Sequence, residues 1–476
     1  MKYAFLAKNS AINQSKFSLT ISESDYGPNE TVLNNLIGTL IKYNATGKLE
    51  PYLAESFSTS NSDLTWSFKI RDNLFAENGI KIDASLFKNS LEKQLKMYSA
   101  SGEPLDFSLL DGWLEFKESN RNEIIGIQAK ENYLIFKFTS RPSDLLEALR
   151  MPYFGLWLST DDSHNSFKNF LSTGAYKVDK QKSNDAQIYL IKRKPWFSND
   201  IEKTSEYVEF NYISEDQISN AEFTILEIVR PNPKVPPDNY ISISGIPTAM
   251  MSMVLSPDKN GPFKDLQNRQ AFVSRFKKHQ QKLSNFLTSD FFFPSATSHV
   301  SSLPEVNFLP NMNNAKLEFA FPNQNLFSEV STELENLISS TLSDTNAKVT
   351  YRYGSPMENS WRQRLLSNKE FDARFNGVDI GGHINNLAIK MIFCSKLGVS
   401  YPDPSGEICK LSKKQDTHGG KIEQDYINEF NQILLDDSVV VPLMHFGTTW
   451  YVSDQIVPSS FPSTVVSPLL EAIEFK

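Results

Sequence analysis

Histidines and carboxylates, the side chains that most often carry catalysis, do not cluster in this sequence. The six histidines are widely spaced, with no two at positions i and i+4: His164, His279, His299, His383, His418 and His445. The adjacent pairs Asp161-Asp162 and Asp436-Asp437 point apart in a helix or a strand, so neither forms an acid/base pair. The sequence contains no G-x-S-x-G, H-E-x-x-H, P-loop or G-x-G-x-x-G motif. These absences predict a protein without a catalytic centre, and we expect neither a metal site nor a cofactor.

The two cysteines, Cys394 and Cys409, leave two interpretations open. They are either two buried thiols or a disulfide that closes a loop of roughly fifteen residues, as in an oxidising compartment. A metal pair is disfavoured because there is no C-x-x-C spacing and no histidine close in sequence.

Length and charge limit the class of protein. A chain of 476 residues exceeds one compact core and predicts two to four domain-sized units. With 48 basic and 56 acidic residues and no basic block, the chain is not expected to bind nucleic acid. No run of about eighteen apolar residues exists, and the first residues form no intact secretory signal. A cytosolic protein and a mature secreted protein with an added Met both remain open.

Strand and helix patterns alternate along the chain without a repeat. Period-two alternation predicts strands over 16–22, 64–70, 124–128, 133–138, 176–178, 187–192 and 207–212. Helical patterns predict helices over 31–41, 83–91 with Asp83 as N-cap, 143–149, 265–281, 326–342 and 422–435. Pro231–Pro237 and Gly245–Gly261 are candidate junctions between domains.

Several local motifs, in this order, resemble the family 5 solute-binding proteins, which carry peptides, nickel chelates and some oligosaccharides. Gly47–Phe57 is similar to the family's "G-x-x-x-P-x-L-A-E-S-aromatic" and Leu64–Phe75 to its "L-T-aromatic-x-F-x-hydrophobic-R". The further matches are Ser172–Val178, with Ala175 where the family has proline, Lys192–Phe197, Gly261–Ala271 and Asp437–Leu443. Together they extend over almost the whole chain.

This resemblance implies an α/β, two-lobed periplasmic-binding-protein fold (type II, cluster C-like) with an extra small domain on lobe I. We expect lobe I over 1–247, including a subdomain at about 48–165, lobe II over 248–446, and a return to lobe I over 447–476. The implied function is that of a monomeric receptor which captures a small solute between two lobes and delivers it to the permease of an ABC importer. The expected ligand is an oligopeptide and the expected location is the periplasm or the extracellular face of the membrane.

The candidate ligand-binding segment is 361–383, which resembles the family's "W…(F/Y)-D-x-x-x-x-G-W-x-x-D" run. The resemblance implies that Asp379 accepts the ligand's ammonium group, that Arg374 pairs with its carboxylate, and that Trp361 forms a pocket wall. A charge pair sealed from water is worth far more than a surface pair, typically about 2–5 kcal/mol when one partner is removed. The alternative roles are a cap or turn for Asp379, a structural ion pair for Arg374 and a core position for Trp361.

The segment departs from the peptide-binding pattern after Asp379. It continues Ile380-Gly381-Gly382-His383, without the Tyr and Pro that are usual there. Gly381 and Gly382 would let the backbone approach a ligand or form a turn, and His383 is either a ligand contact or a surface residue. The substitution leaves an oligosaccharide or a metal chelate open as ligand.

Lobe I is expected to contribute the loop Glu23–Pro28, where the family makes backbone contacts. Tyr26 and Gly27 are the candidates in that loop, with a turn as the alternative role. Two further function classes remain open: a solute-sensing regulatory module of the same fold, and a hydrolase on a binding-protein scaffold, which the missing nucleophile motifs disfavour.

Overall fold

The computed structural model describes residues 1–6, 16–17, 19, 27–44, 48–99, 105–118, 121–142, 144–159, 170–194, 196–197, 204–220, 222–229, 239–245, 249–283, 289, 292, 303, 309, 312–322, 328–354, 361, 364–365, 369–379, 386–394, 401–418, 424–461 and 468–476. The chain divides into two compact units. Unit 1 comprises Met1–Ile246 and Gly447–Lys476, and unit 2 comprises Pro247–Phe446.

Strands and helices alternate through both units. The strands are β1 Lys2–Leu6, β2 Ile41–Tyr43, β3 Leu49–Pro51, β4 Ala54–Ser60, β5 Thr65–Ile70, β6 Ile127–Lys130, β7 Tyr133–Lys137, β8 Leu158–Ser159, β9 Phe170–Leu171, β10 Tyr176–Val178, β11 Gln187–Lys192, β12 Tyr207–Ile213, β13 Ile225–Val229, β14 Tyr240–Ser244, β15 Ala249–Leu255, β16 Lys316–Pro322, β17 Lys348–Gly354, β18 Ala373–Asp379, β19 Val440–Phe446 and β20 Thr448–Ser453. The α-helices are α1 Gly27–Leu36, α2 Ala84–Ser99, α3 Trp113–Glu118, α4 Leu145–Arg150, α5 Leu266–Leu283, α6 Ser328–Thr341, α7 Asn386–Ile389, α8 Glu407–His418 and α9 Gln424–Asp437.

A seven-stranded sheet in the order β10-β11-β12-β1-β13-β20-β14 forms the centre of unit 1. The first strand, β1, is parallel to both of its neighbours, and it contributes Tyr3 and Phe5 to an aromatic core. The ring centroids of Tyr3 and Phe210 are 5.0 Å apart. Helix α1 packs on this core through the fully buried Val32 and Leu36.

The helix predicted over 31–41 is wrong at both ends, because α1 spans Gly27–Leu36 and Ile41 already begins β2. After Ile37, whose N–H still donates to the Leu33 carbonyl (2.8 Å), the chain makes tertiary hydrogen bonds in place of helical ones. The Gly38 N–H donates to Thr173 Oγ1 (2.9 Å) and its carbonyl accepts the Leu156 N–H (2.8 Å). A Cβ at Gly38 would lie 2.8 Å from the Thr173 carbonyl oxygen, so this close approach requires glycine.

A smaller antiparallel sheet in the order β4-β5-β7-β6 lies within unit 1. Helix α2 packs beside it through buried apolar residues such as Phe87, Leu91 and Leu95. The prediction that Asp83 caps this helix is confirmed, since its Oδ1 accepts the Leu86 N–H at 2.8 Å.

Unit 2 is built on a five-stranded sheet in the order β17-β16-β18-β15-β19. Side chains alternate along β15: Met251 and Met253 join the core that contains α5 and α6, whereas Met250 and Val254 join the core that contains α7, α8 and α9. Helices therefore cover both faces of this sheet, as in α/β folds.

The chain passes from unit 1 to unit 2 between Ile246 and Pro247 and returns between Phe446 and Gly447. In unit 1 Ser244 of β14 is opposite Thr449 of β20, and in unit 2 Ala249 of β15 is opposite Phe446 of β19. Within each unit, the outgoing and returning strands are therefore paired neighbours. Among the described residues, no helix is both long and apolar enough to span a bilayer.

Cys394 and Cys409 form a disulfide with their Cα atoms 5.5 Å apart, which decides between the two interpretations left open by the sequence. The bond attaches the segment after α7 to the first turn of α8. Within the loop that it closes, both carboxylate oxygens of Asp403 accept backbone N–H groups, from Ile408 (3.3 Å) and Cys409 (3.0 Å). The start of α8 is thus held by a cap and by a covalent bond.

Candidate functional site

Strand β18 positions the segment that the sequence singles out for ligand binding. It pairs antiparallel with β15 over its full length, from Ala373 opposite Leu255 to Asp379 opposite Ala249. Asp379 is therefore the last residue of an interior strand, and Ala249, opposite it, is the first described residue after the passage from unit 1. The Asp379 side chain itself lies outside the described part of the structure, so its role as ammonium acceptor stays a prediction.

Arg374 is buried inside unit 2, with 1% of its surface exposed. Its Nη1 donates to the Leu365 carbonyl at 2.7 Å, and its guanidinium lies 6.0 Å from the centre of the Tyr401 ring. Burial lowers the pKa of Arg374 to about 10, so the side chain remains charged at neutral pH. The expected pairing of this charge with a ligand carboxylate stays a prediction.

Tyr401 is a residue that the sequence interpretation missed. Its hydroxyl is 2.7 Å from Ser252 Oγ on β15, and the Asn376 side chain on β18 lies close enough to oppose the effect of burial on its pKa. Burial raises the pKa of Tyr401 to about 12. We call Ser252, Arg374, Asn376 and Tyr401 the Tyr401 cluster. Ser252 lies on β15, opposite Asn376 of β18, and Arg374 lies two residues before Asn376 in the same strand. The period-two spacing of these polar residues was the one signal available in the sequence.

Trp361 lies in a small apolar cluster with Ala320, Leu365 and Phe371, and only 6% of it is exposed. Its ring centroid is 5.3 Å from that of Phe371, and the Arg364 guanidinium covers it at 5.0 Å. The ring also lies directly against Gly354, where no Cβ could be accommodated. Within unit 2 the tryptophan is thus a core residue, and its predicted contact with a ligand is untested.

The remaining candidates are described in part or not at all. Gly27 is the first residue of α1, whereas Tyr26, Gly381, Gly382 and His383 lie outside the described residues. Asn35 holds α1 to the C-terminal segment of unit 1, since its Oδ1 accepts the Leu470 N–H at 2.7 Å. Among the described residues, no three His, Cys, Asp or Glu side chains are grouped as metal ligands would be.

Glu227 is a buried carboxyl group in unit 1 that sequence patterns do not reveal. It accepts hydrogen bonds from the Tyr3 hydroxyl (2.5 Å), the Thr31 hydroxyl (3.3 Å) and the Trp450 indole N–H (3.4 Å). Burial raises its pKa to about 7, although these three donors act in the opposite direction. One carboxyl group therefore connects β1, α1, β13 and β20, and it can exchange a proton near neutral pH.

Residues 48–274 match the family model described as bacterial extracellular solute-binding proteins, family 5 middle. Over these residues, just under half of the chain, the sequence is similar to family 5 solute-binding proteins. Nickel-binding protein NikA of Staphylococcus aureus is 28% identical over 164 residues, which are 34% of this chain and 30% of that protein. The nickel-binding periplasmic protein of Escherichia coli is 25% identical over 178 residues, 36% of this chain and 31% of that protein. The chain thus spans about a third of the length of these curated relatives.

Solved structures of several binding proteins resemble the chain over nearly its whole length. Haemophilus influenzae OppA in complex with the peptide RPPGFSPFR has a TM-score of 0.74 at 13% identity, covering 99% of this chain and 98% of that one. The E. coli murein tripeptide binding protein MppA has a TM-score of 0.74 at 14% identity, covering 100% and 98%. DppA of Helicobacter pylori, in complex with the peptide STSA, has a TM-score of 0.72 at 15% identity, covering 100% and 98%.

These matches confirm the predicted α/β fold of the two-lobed periplasmic binding proteins. The family model that residues 48–274 match is described as one of solute-binding proteins. The family is described as extracellular, and its E. coli relative is named as periplasmic.

Proposed function

We propose that this protein is the substrate-binding receptor of an ABC importer, and that it captures an oligopeptide by the two-lobed mode that its sequence resemblance implies. The observation that carries the proposal is the similarity in fold, over nearly the full length of both chains, to receptors named for peptide binding. The proposed location is the periplasm or the extracellular face of the membrane, and the proposed macromolecular partner is the importer's permease. We propose that the receptor acts as a monomer.

Strand β18 gives the proposal a specific residue. Asp379 ends an interior strand whose register is fixed along all seven residues by β15. A carboxylate at such a strand end is held on a rigid element, which favours precise recognition of an ammonium group. Arg374, in the same strand, is kept charged within unit 2 and contributes a positive field there.

A nickel complex is the second candidate ligand, because both curated relatives are nickel-binding proteins. Those two matches cover about a third of the chain, whereas the fold matches to peptide receptors cover nearly all of it. Peptide is therefore the first choice. Isothermal titration with a tetrapeptide mixture, with Ni²⁺ and with a nickel–histidine complex separates the two candidates. Binding of a nickel species without binding of any peptide would contradict the peptide assignment.

The Asp379→Asn variant tests the site. We expect it to weaken binding of a peptide with a free amino terminus at least tenfold, since a desolvated charge pair lost in this way costs about 2–5 kcal/mol. When the amino terminus of the same peptide is acetylated, Asp379→Asn and the wild type should bind it with equal affinity. Asp258→Asn, an exposed position in the same unit, removes the same charge and should bind like the wild type. Equal affinity of Asp379→Asn and wild type would remove Asp379 from the site.

A further inference from the structure

Strand β18 is held unequally along its length. Its first two residues, Ala373 and Arg374, pair with β16 on one edge, whereas all seven residues pair with β15 on the other. In the part of the chain that the structure describes, residues 375–379 therefore have β15 as their only strand partner. This second half of β18 ends in Asp379, so the position of that residue depends on β15 and on the side chains that pack across the two strands.

The pairing of β15 with its other neighbour is irregular beside this half of β18. The register between β15 and β19 shifts between Met251 and Ser252, and Ser252 lies opposite Pro442. A shift of this kind locally disrupts the ladder of hydrogen bonds, and a proline has no N–H to donate to it. On its other side Ser252 is opposite Asn376 of β18. The sheet is thus least regular where the half-paired part of β18 begins.

Tyr401 packs against the sheet at this point. Its hydroxyl is 2.7 Å from Ser252 Oγ, and its ring centre is 6.0 Å from the Arg374 guanidinium. The Asn376 side chain lies close enough to lower the pKa of the tyrosine against the larger effect of burial. One side chain therefore bridges β15 and β18, on the face of the sheet that α7, α8 and α9 cover.

Tyr401 is itself held firmly in its place. Its N–H donates to the Ile392 carbonyl at 2.8 Å, and its ring centroid is 5.5 Å from that of Phe393. The disulfide between Cys394 and Cys409 closes the loop that contains it, and the side chain is buried. A group whose own conformation is fixed by its surroundings can hold a neighbouring functional element in position.

We propose that Tyr401 is a positioning residue for ligand recognition: its hydroxyl holds Ser252 and the second half of β18 in place, so that β18 presents Asp379 to the ligand from a fixed position. The proposal rests on the proposed function in taking Asp379 as a ligand contact. Tyr401 acts through the strand and does not touch the ligand. A strand that is ordered before binding loses less binding energy to ordering when the ligand arrives.

Tyr401→Phe tests the proposal, since it removes the hydroxyl and keeps the ring. We expect amide hydrogen exchange across 375–379 to become about fivefold faster, the effect of one lost hydrogen bond. The affinity for a tetrapeptide mixture with free amino termini, measured by isothermal titration, should fall by a similar factor. Ser252→Ala should have the same two effects. The combined variant should exceed neither single variant, because the two hydroxyls act as a pair.

Tyr426→Phe is the matched control. Tyr426 belongs to the same buried core, and its hydroxyl donates to Asn386 Oδ1 of α7 at 2.6 Å, away from the sheet. This variant should lower the urea midpoint by about as much as Tyr401→Phe does, since each loses one buried hydrogen bond. It should leave the exchange of 375–379 and the peptide affinity unchanged. If the two variants behave alike in all three measurements, Tyr401 has a structural role only and the proposal is overturned.

Two further results would overturn the proposal. One is unchanged exchange across 375–379 in both Tyr401→Phe and Ser252→Ala. The other is faster exchange together with unchanged peptide affinity, because the hydroxyl would then hold the strand without serving the ligand. A wild type that binds no peptide would instead overturn the proposed function, and the exchange rates of the variants would still decide whether Tyr401 positions β18.

Discussion

At the scale of single residues, Glu227 is a carboxyl group in an environment very different from that of a free side chain. Its three hydrogen-bond donors, from Tyr3, Thr31 and Trp450, are all neutral, and only 3% of the residue is exposed. Neutral donors stabilise a carboxylate, but they do not replace the hydration that it loses on burial. Burial therefore raises the pKa of Glu227 from 4.5 to about 7, and the folded chain binds a proton here more tightly than the unfolded chain does.

This difference predicts how stability depends on pH. The stabilisation is fully present below pH 4.5, where both states carry the proton, and it is lost as pH rises through about 7. At 1.36 kcal/mol for each pKa unit, the loss is on the order of 3 kcal/mol. We expect the urea midpoint of the wild type to fall between pH 5 and pH 8 by more than that of Glu227→Gln, which carries no titrating group.

Glu222→Gln is the matched control for this prediction, because that side chain is 94% exposed. It should follow the wild type at every pH. Parallel urea midpoints for the wild type and Glu227→Gln from pH 5 to pH 8 would show that this carboxyl group does not titrate in the core.

Residue types alone predicted that the segment around β18 binds a ligand, but they could not show which of its side chains are buried. Trp361 and Arg374 have the side chains expected of a ligand pocket, and the structure places both inside unit 2. Their burial depends on residues distant in sequence: the Trp361 ring lies against Gly354, and Arg374 lies against Tyr401. Glu227 went unnoticed for the same reason, since its partners come from positions 3, 31 and 450.

At the scale of elements, long amphipathic patterns were predictable and interrupted ones were not. The helices expected over 265–281 and 326–342 correspond to Leu266–Leu283 and Ser328–Thr341. The strands expected over 176–178 and 187–192 are observed with those bounds. The helix expected over 31–41 ends early because Gly38 bonds to Thr173 and Leu156, contacts that no local pattern records. The strand expected over 16–22 lies largely outside the described residues.

The disulfide between Cys394 and Cys409 joins the end of one helical segment to the start of α8 and encloses Tyr401. In the chain-entropy account, a loop of about 15 residues stabilises the folded state by about 3 kcal/mol. The double variant Cys394→Ser/Cys409→Ser should therefore lose about 2–4 kcal/mol in free energy of unfolding. Urea titrations with and without dithiothreitol measure this: the reductant should destabilise the wild type and leave the double variant unaffected. Equal stability of the wild type under both conditions would show that the bond contributes little.

At the scale of the whole molecule, identities of 13–15% accompany TM-scores above 0.7 over nearly complete chains. Such a fold persists because it depends on which faces of the strands and helices are apolar, and many sequences satisfy that requirement. In β15 the alternation of Met250, Met251, Val254 and Leu255 between two cores is a local example. The same tolerance explains why the ligand does not follow from the fold, since specificity resides in a few side chains.

The chain divides into two units that are joined by two passages. Relative motion is the default expectation for domains within one chain, and a ligand that contacts two of them shifts the population towards the conformation that it binds more tightly. A compact chain of 476 residues has a radius of gyration of about 23 Å. If the proposed capture mode is right, small-angle X-ray scattering should show this radius fall when a peptide saturates the protein.

The same peptide at the same concentration should leave the scattering of Asp379→Asn closer to that of the free protein, because the variant is less occupied. Raising the peptide concentration until the variant is saturated should restore the smaller radius, because the substitution is expected to change affinity and to leave the two passages between the units unaltered. A wild type shown by calorimetry to be saturated, yet with an unchanged radius of gyration, would mean that binding occurs without closure. In that case the ligand would contact one unit alone, and the role of β18 would have to be separated from any motion between Ile246 and Pro247 or between Phe446 and Gly447.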